Sequence, residues 1–243
     1  MRKTMIRAAM VLALASSAAL TARVALPNYV TLLASPERPA ADTVRDADRK
    51  PAALMTFAKI KPGTVVAELI PGGGYYTRLL SLAVGPAGHV YTYGLRANTA
   101  VEEWAKTHPN VTEVIGGSGV PLAPVPVDVV WTTLNYHDLK NNKVGDRDSA
   151  AVLNDAAFKA LKPGGVYLIN DHQTAKGAGT TQTSTLHRIE DVAVIREVEA
   201  AGFKLESRSA VLAHPGDDHT LKVQETGIRG KTDQFVLRFR KPR

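Results

Sequence analysis

Short apolar runs alternate with helical segments along most of this chain, and that alternation is the strongest constraint on its fold. The run VVAEL at 65–69 precedes a helical pattern, and the run GHVYTYGL at 88–95 precedes another. VDVVWTTLN and VYLINDH are further runs typical of strands. Strands that alternate with helices of this length form a parallel sheet covered by helices on both faces. We therefore predict a doubly wound α/β fold.

The C-terminal part of the chain departs from this alternation. FKLESRSAVL and DQFVLRFRKP are both typical of strands, and no helical segment lies between them. A strand that follows its neighbour through a plain loop runs antiparallel to it. We therefore expect five to six strand–helix units, closed by a last strand of opposite direction.

The first 25 residues have the pattern of a secretory signal peptide. The basic segment MRKTMIR precedes a 13-residue apolar run, and small residues follow between Ala15 and Ala25. The run is short for a bilayer span, although an uncleaved anchor is the alternative. We predict a signal peptide at 1–25, an N-terminal arm or linker at 26–46 and one domain at 47–243. The protein is expected to be periplasmic or secreted, with no stable membrane span after cleavage.

Charge and cysteine content narrow the choice of partners. The net charge is +7, but the first 25 residues hold four basic residues and no acid, which leaves 26 basic residues against 23 acids, or +3. Nucleic-acid binding requires a concentrated basic face, so we predict a small-molecule substrate and no nucleic-acid partner. The chain has no cysteine, so its stability rests on its core. The oligomeric state stays open.

Three consecutive glycines follow the first predicted strand, in AELIPGGGYYTRLL at 67–80. They lie at the carboxyl edge of the sheet, where doubly wound folds bind ligands. Glycine lets the backbone turn sharply and approach a ligand, and the start of the next helix attracts a carboxylate or phosphate. Glu68 can accept a hydrogen bond from an ammonium or a hydroxyl group. The alternative is a tight turn without a ligand.

Two polar clusters follow the fourth and fifth predicted strands. LNYHDL and INDH contain the candidate catalytic residues, which are Tyr136, His137, Asp138, Asp171 and His172. Neighbouring parallel strands bring both clusters to one edge of the sheet. Histidine titrates near neutrality and is the usual general base, and an adjacent carboxylate orients it. The alternative is ordinary turn chemistry, which also favours Asn and Asp.

Two long connections add further histidines to the same edge. Residues 173–188 contain His187, and residues 213–233 contain His214 and His219. Connections of this length are usually functional lids or disordered segments. A cluster of this kind also suits zinc or a harder ion. No segment has histidines at helical spacing, however, and we assign no metal ligand from the sequence.

Several segments resemble the class I S-adenosylmethionine-dependent methyltransferases. They include VVAELIPGGGYYTRLLS, VDVVWTTLNYHDL and FKALKPGGVYLINDH, and the resemblance covers nearly all of residues 50–243 in the family's order. PGGGYYTRLL, NYHDL and RGKTDQFVLRF are similar to an exported group of predicted bacterial methyltransferases. The resemblance implies a Rossmann-like, mostly parallel seven-stranded sheet with an antiparallel last strand. It also implies S-adenosylmethionine as the cofactor.

The resemblance assigns part of a cofactor site. Glu68 matches the family's acid before the glycine loop, and Gly72 and Gly74 match two loop glycines. The residues assigned to the cofactor are Glu68, Gly72, Gly73, Gly74 and Tyr75. Where the family usually holds the ribose and often the adenine with acids, this chain has Gly94 and Gly117.

Three functions agree with these observations. The first is methyl transfer to a small molecule, with a His/Asp pair as the general base. The second is an exported lyase or hydrolase on the same scaffold, with acid and base groups drawn from Tyr136, His137, Asp171 and His172. The third is a non-catalytic protein that binds a small ligand or a metal. The fold alone does not decide among them.

Overall fold

A seven-stranded sheet forms the centre of the molecule in the computed structural model, which describes residues 28–117 and 119–243. The spatial order of its strands is β3-β2-β1-β4-β7-β9-β8. The strands are β1 (Val65–Leu69), β2 (His89–Gly94), β3 (Val111–Ile115), β4 (Val127–Thr133), β7 (Leu161–His172), β8 (Lys204–Ser209) and β9 (Gln234–Arg240). β5 (Lys143–Val144) and β6 (Arg147–Asp148) form a separate two-stranded hairpin.

The direction of the strands confirms the predicted architecture. β1 pairs in parallel with β2 and β4, and parallel pairing continues to β3 on one side and β7 on the other. β9 is antiparallel to both of its neighbours, β7 and β8. The carboxyl ends of the parallel strands and the start of β9 therefore lie at the same edge.

Helices cover both faces of the sheet. They are α1 (Tyr29–Leu33), α2 (Ala40–Thr43), α3 (Asp46–Arg49), α4 (Pro51–Phe57), α5 (Tyr75–Val84), α6 (Thr99–Ala105), α7 (Tyr136–Leu139), α8 (Ser149–Ala160) and α9 (Asp191–Ala200). Side chains alternate between the faces of a strand, so Val66 packs in the core beneath α4, α5 and α6, and Ala67 in the core beneath α8 and α9.

Two boundaries differ from the sequence pattern. The helical spacing over 46–60 predicts one helix, but Lys50 adopts a left-handed conformation with φ 43° and separates α3 from α4. Proline disfavours helical geometry in the residue before it, and Pro51 begins α4. The segment KPGG at 162–165 follows α8 as predicted, but it forms the first part of β7 and not a free turn.

The N-terminal segment packs on the domain from residue 28 onward. The hydroxyl of Tyr29 donates to the carbonyl of Ile60 at 2.8 Å, and Arg78 of α5 donates to Asp42 of α2 at 2.6 Å. Leu32 and Leu33 pack against the core beneath α4 and α5. This packing brings α3 to the carboxyl edge of the sheet.

Within the described part of the chain, no helix has the length and apolar character that crossing a membrane requires. The predicted signal peptide, residues 1–25, lies outside the described residues.

Candidate active site

Strained turns follow β1 and β4 at the carboxyl edge of the sheet. Ile70 and Leu134 have φ values of 53° and 58°, which side chains rarely adopt and which are particularly unfavourable for a β-branched residue. The side-chain amide of Asn135 donates to the carbonyls of Ile70 at 3.1 Å and Thr133 at 2.8 Å. The two turns are therefore fixed to one another. Strain of this kind clusters at functional sites.

Two side chains hydrogen-bond to the glycine loop, and the loop has free space above its first two residues. The amide of Asn98 donates to the carbonyl of Gly72 at 2.6 Å, and the guanidinium of Arg78 donates to the carbonyl of Gly73 at 2.7 Å. A Cβ added at Gly72 or Gly73 would meet nothing within 4 Å, whereas one at Gly74 would lie 2.8 Å from the Arg78 guanidinium. The loop therefore leaves space above its first two glycines.

Glu68 and Tyr75 point away from that open face. The Glu68 side chain is buried beneath α5 and accepts a hydrogen bond from the Thr77 hydroxyl at 2.6 Å. Burial raises the pKa of Glu68 to about 7, although the Thr77 hydrogen bond and the Arg78 charge act in the opposite direction. Tyr75 is also buried and donates its hydroxyl to Asp46 at 2.6 Å.

We expect the Glu68→Gln variant to lose a pH dependence of stability that the wild-type protein has. Because the pKa is about 7 in the folded state and about 4.3 in the unfolded chain, the folded state binds more protons between these values. Wild-type stability therefore falls as the pH rises through this window, by about 4 kcal/mol at completion. Urea unfolding at pH 4.5 and pH 8 measures the difference between variant and wild type.

The matched control for this prediction is Glu103→Gln. Glu103 is exposed on α6 and pairs with Lys106 at 2.6 Å, and an exposed pair contributes about 1 kcal/mol or less. The difference between this control and the wild type should stay within that range at both pH values. A Glu68→Gln curve that runs parallel to the wild-type curve over the whole range would contradict the prediction.

The ends of β2 and β3 carry no carboxylate at Gly94 or Gly117. The ring of Tyr93 fills the space against Gly116, where not even a Cβ could be added. Its hydroxyl donates to the carbonyl of Gly117 at 2.9 Å. The Tyr93 ring and backbone carbonyls therefore occupy the positions at which the methyltransferase resemblance implies acids that bind the ribose and the adenine.

A buried histidine–aspartate pair joins the ends of β4 and β7. His137 Nδ1 lies 2.7 Å from Asp171 Oδ1, and Asp171 Oδ2 accepts the backbone N–H of His137, also at 2.7 Å. Burial lowers the pKa of His137, but the charge and hydrogen bond of Asp171 and the charge of Asp138 raise it, and the net shift is upward. Burial raises the pKa of Asp171, but the charge of His137 outweighs it and the net shift is downward.

His172, at the end of β7, differs from His137 in its surroundings. Its Nδ1 lies 2.7 Å from the hydroxyl of Thr232, and its ring centroid lies 5.9 Å from that of His137. Burial lowers the pKa of His172 to about 4, although the charge of Asp171 opposes this shift. His172 is therefore neutral at neutral pH.

Asp138 connects His137 with a third imidazole. One oxygen of its half-exposed carboxylate, Oδ1, lies 3.4 Å from His137 Nε2 and 3.1 Å from His187 Nδ1. His187 belongs to the connection between β7 and α9 and has a φ of 56°. The sequence predicted that this connection covers the edge, and its histidine contacts Asp138 and lies edge-on to the His137 ring, with 5.4 Å between the ring centroids.

A cavity of about 580 Å³ opens beside these groups, and we call it the rim cavity. This volume is typical of small-molecule sites. Its charged and titratable lining consists of His137, Asp138, His172, Asp48, Arg45, Arg49 and Arg229. The cavity lies beside the turn after β4, next to the turn after β1.

The arginines of the rim cavity have no anionic partner among the described residues. Arg49 lies over the ring of Tyr75 at 4.7 Å, and burial lowers the pKa of its guanidinium. No ion pair joins Arg45, Arg49 or Arg229 to a carboxylate of residues 28–117 or 119–243. Arg45 and Arg229 are exposed, but Arg49 is partly buried. A buried charge without a partner is costly, so the position of Arg49 favours an anionic ligand.

The structure brings together four of the five candidate catalytic residues. His137, Asp138 and His172 line the rim cavity, and the buried Asp171 contacts His137 from within the protein. Tyr136 does neither, because its ring is buried in the core and its hydroxyl donates to Glu197 at 3.0 Å and accepts from Asn154 at 2.8 Å.

The contribution of α3 and its flanking residue Arg45 to the cavity was not predicted from the sequence. Arg45 and Arg49 are four residues apart, a spacing that places both on one face of a helix. That spacing was the available signal, but it does not show that the helix packs at the sheet edge.

Two segments cover the site, residues 173–190 and residues 210–233, and we call them the covering segments. A fully buried ion pair joins them, in which Arg188 donates to both oxygens of Asp217, at 2.8 Å and 3.1 Å. Arg188 also donates to the carbonyls of Gln173 at 3.0 Å and Leu221 at 3.1 Å. The covering segments are thus fixed to each other over the carboxyl edge.

No family model and no curated protein matches this sequence. Solved structures do match. A SAM-dependent methyltransferase from Aquifex aeolicus shares 19% identity with a TM-score of 0.57, over 79% of this chain and 89% of that chain. A putative methyltransferase from Bacillus halodurans shares 17% identity with a TM-score of 0.58, over 80% and 100% of the two chains.

A third match is an enzyme described by a different reaction. The [4+2]-cyclase SpnF shares 16% identity with a TM-score of 0.55, over 81% of each chain. At these identities the matches establish architecture and not activity. The strand order, the antiparallel last strand and the helices on both faces all agree with them. The chain therefore has the fold of the class I S-adenosylmethionine-dependent methyltransferases.

Proposed function

We propose that this protein transfers a methyl group from S-adenosylmethionine to a small acidic molecule bound in the rim cavity. One observation carries the proposal: a histidine fixed by a buried carboxylate faces a small-molecule cavity, whose arginines have no carboxylate partner within the described ranges. The histidine supplies a base, and the arginines supply a counter-charge for an anionic substrate. The methyltransferase-like architecture supports methyl transfer as the reaction.

The glycine loop fits part of the cofactor. Gly72 and Gly73 leave open space at the start of α5, a 10-residue helix whose free N–H groups favour an anionic group. At the position where the family's acid binds the ribose of the cofactor, this chain has Gly94. The polar side chain of Asn98 contacts the glycine loop. When bound there, S-adenosylmethionine supplies an electrophilic methyl group.

The chain's own residues have two tasks in this reaction. Arg49 and Arg229 bind the acidic group of the acceptor and orient it in the rim cavity. His137 Nε2 would take the proton of the acceptor's hydroxyl or thiol as the methyl group passes from the cofactor's sulfonium sulfur to that oxygen or sulfur, with S-adenosylhomocysteine as the leaving group. Asp171 stabilises the resulting imidazolium through the 2.7 Å contact to Nδ1, in the way that a carboxylate supports a catalytic histidine in general.

We expect Gly73→Val to abolish S-adenosylmethionine binding without unfolding the protein. Gly73 does not have a positive φ, and a Cβ added there would meet no protein atom within 4 Å. The valine therefore adds no backbone strain and occupies the space assigned to the cofactor. Calorimetric titration with S-adenosylmethionine and S-adenosylhomocysteine measures the effect, with micromolar binding expected for the wild type and none for the variant.

Gly227→Val is the matched control, because Gly227 also lacks a positive φ and a Cβ added there would likewise meet nothing within 4 Å. It lies in the second covering segment, away from the glycine loop. This variant should bind the cofactor as the wild type does. Equal binding by the wild type and Gly73→Val would place the cofactor elsewhere.

A second candidate function is catalysis of another class by the same His137–Asp171 pair. The structural match to a [4+2]-cyclase and the glycines that replace acids at Gly94 and Gly117 favour it. In that case His137 acts as an acid or base on a substrate in the rim cavity, and no cofactor enters the glycine loop. Failure of the wild type to bind S-adenosylmethionine at millimolar concentration would select this candidate.

We also propose that the protein is exported, with residues 1–25 removed and residues 26–46 retained as an arm before the domain at 47–243. The basic, apolar and small-residue pattern of the N-terminus supports this. N-terminal sequencing of the protein recovered from a cell fraction outside the cytoplasm tests it. A chain that still begins at Met1 would contradict it.

A further inference from the structure

Three side chains at the mouth of the rim cavity place metal-ligating atoms close together. They are His137, Asp138 and His187, and one ligand atom from each lies within 4.8 Å of the others. His137 is buried, Asp138 is half exposed and His187 lies between these extremes. The cluster therefore has a fixed side within the protein and an open side toward the cavity.

Two of the three distances between ligand atoms in the cluster match those of a coordination site. A tetrahedral ion with bonds of about 2.0–2.1 Å holds its ligand atoms about 3.3 Å apart. Asp138 Oδ1 lies 3.4 Å from His137 Nε2 and 3.1 Å from His187 Nδ1. Two of the three ligand separations therefore need almost no adjustment.

The other nitrogen of His137 supports the same interpretation. Its Nδ1 contacts Asp171 at 2.7 Å, and Asp171 is itself held by the backbone N–H groups of His137 and His172. Metal-ligating histidines almost always donate their second ring nitrogen to a carboxylate or carbonyl, which fixes the ring and the tautomer. His187 is also held in a conformation of positive φ that side chains rarely adopt.

We propose that His137 Nε2, Asp138 Oδ1 and His187 Nδ1 bind a divalent first-row transition metal ion, with a further coordination position open to the rim cavity. Two imidazoles and one carboxylate suit zinc and its neighbours better than calcium or magnesium, which prefer oxygen ligands. The binding site stands on these contacts alone. Its role in catalysis rests on the proposed function: because a bound ion occupies His137 Nε2, the ion and not that nitrogen would then favour deprotonation of the acceptor's oxygen or sulfur, and the proton would pass to solvent.

Metal titration of the full chain, purified without a histidine tag and freed of metal with a chelator, tests the proposal. Zinc is titrated by calorimetry, and cobalt is titrated by visible absorption, whose d–d bands report the coordination number and geometry of the bound ion. We expect one ion per chain in the wild type. His187→Gln and Asp138→Asn should each weaken binding by about 100-fold or more, because loss of even a group that only supports a ligand costs ~10–100-fold.

His89→Gln is the control variant, since His89 lies on β2 away from the edge and contacts Thr112 at 2.9 Å. It should bind both ions with wild-type affinity. Absence of binding at millimolar zinc, or equal affinity in His187→Gln and the wild type, would overturn the site. If the wild-type protein binds metal but transfers no methyl group, the metal site is supported and the proposed function is wrong. An undiminished methyl-transfer rate in chelator-treated protein would remove the ion's catalytic role.

Discussion

Replacing Arg188 with methionine is expected to lower the free energy of unfolding by about 3–5 kcal/mol, because it leaves a buried carboxylate without its cation. The Arg188 side chain is fully buried and that of Asp217 is 4% exposed. Methionine fills much of the space but replaces neither the two contacts to Asp217 nor those to the carbonyls of Gln173 and Leu221. Urea unfolding measures the loss.

Arg147→Met is the matched control. Arg147 pairs with Asp155 at 2.7 Å, a distance close to that of the buried pair, but both side chains are largely exposed. An exposed pair contributes about 0–1 kcal/mol, so this variant should lose no more than that. Since the substitution is the same in both variants, the difference between them measures the effect of burial.

A double variant, Arg188→Met with Asp217→Leu, separates the buried charge from lost packing. Apolar replacement of both partners of a buried pair is often neutral or stabilising, so we expect it to recover more than half of the lost stability. Equal losses in Arg188→Met and Arg147→Met would show that the covering segments do not depend on this pair.

The His137→Gln variant is expected to lose about 10²–10⁴-fold in kcat, the contribution typical of a general base. Glutamine removes the ionisable nitrogen, and Asp171 then has no imidazolium to stabilise. Release of S-adenosylhomocysteine measures the rate, with acceptors taken from a panel of small hydroxy and thiol acids. Binding of S-adenosylmethionine should stay unchanged, because Gly72–Gly74 lie on a different strand end.

His89→Gln serves again as the control and should keep the wild-type rate. Comparison with His187→Gln distinguishes the two roles proposed for His137, which are general base and metal ligand. A rate loss confined to His137→Gln points to a proton-accepting imidazole, whereas equal losses in both variants point to the bound metal. A His137→Gln enzyme that retains the wild-type kcat would remove His137 from the mechanism.

Much of the fold could be predicted from local patterns. Apolar runs of strand length alternate with helical segments, and the mostly parallel sheet, the helices on both faces and the antiparallel β9 follow the expected architecture. The helix over 46–60 was predicted too long, since the pattern of apolar residues outweighed the restriction that Pro51 places on Lys50. Periodicity identifies elements more reliably than their ends.

The meeting of His137 and Asp171 was also predictable, because β4 and β7 are adjacent parallel strands, His137 follows the carboxyl end of β4, and Asp171 lies at the carboxyl end of β7. The orientation of each side chain was not. Tyr136 and His137 are consecutive on α7, and successive helical residues point about 100° apart. Only one of them can face the rim cavity, and the packing of α7 directs Tyr136 toward Asn154 and Glu197.

Local patterns are enough to predict the order of the elements and the sheet edge at which the polar residues lie, because hydrophobic periodicity and turn chemistry are local properties. Which of those residues share a site depends on tertiary packing. Arg45 and Arg49 reach the rim cavity because α3 packs beside Tyr75, and Arg188 holds the covering segments through a residue 29 positions away. Such contacts depend on how distant segments pack, which no local pattern records.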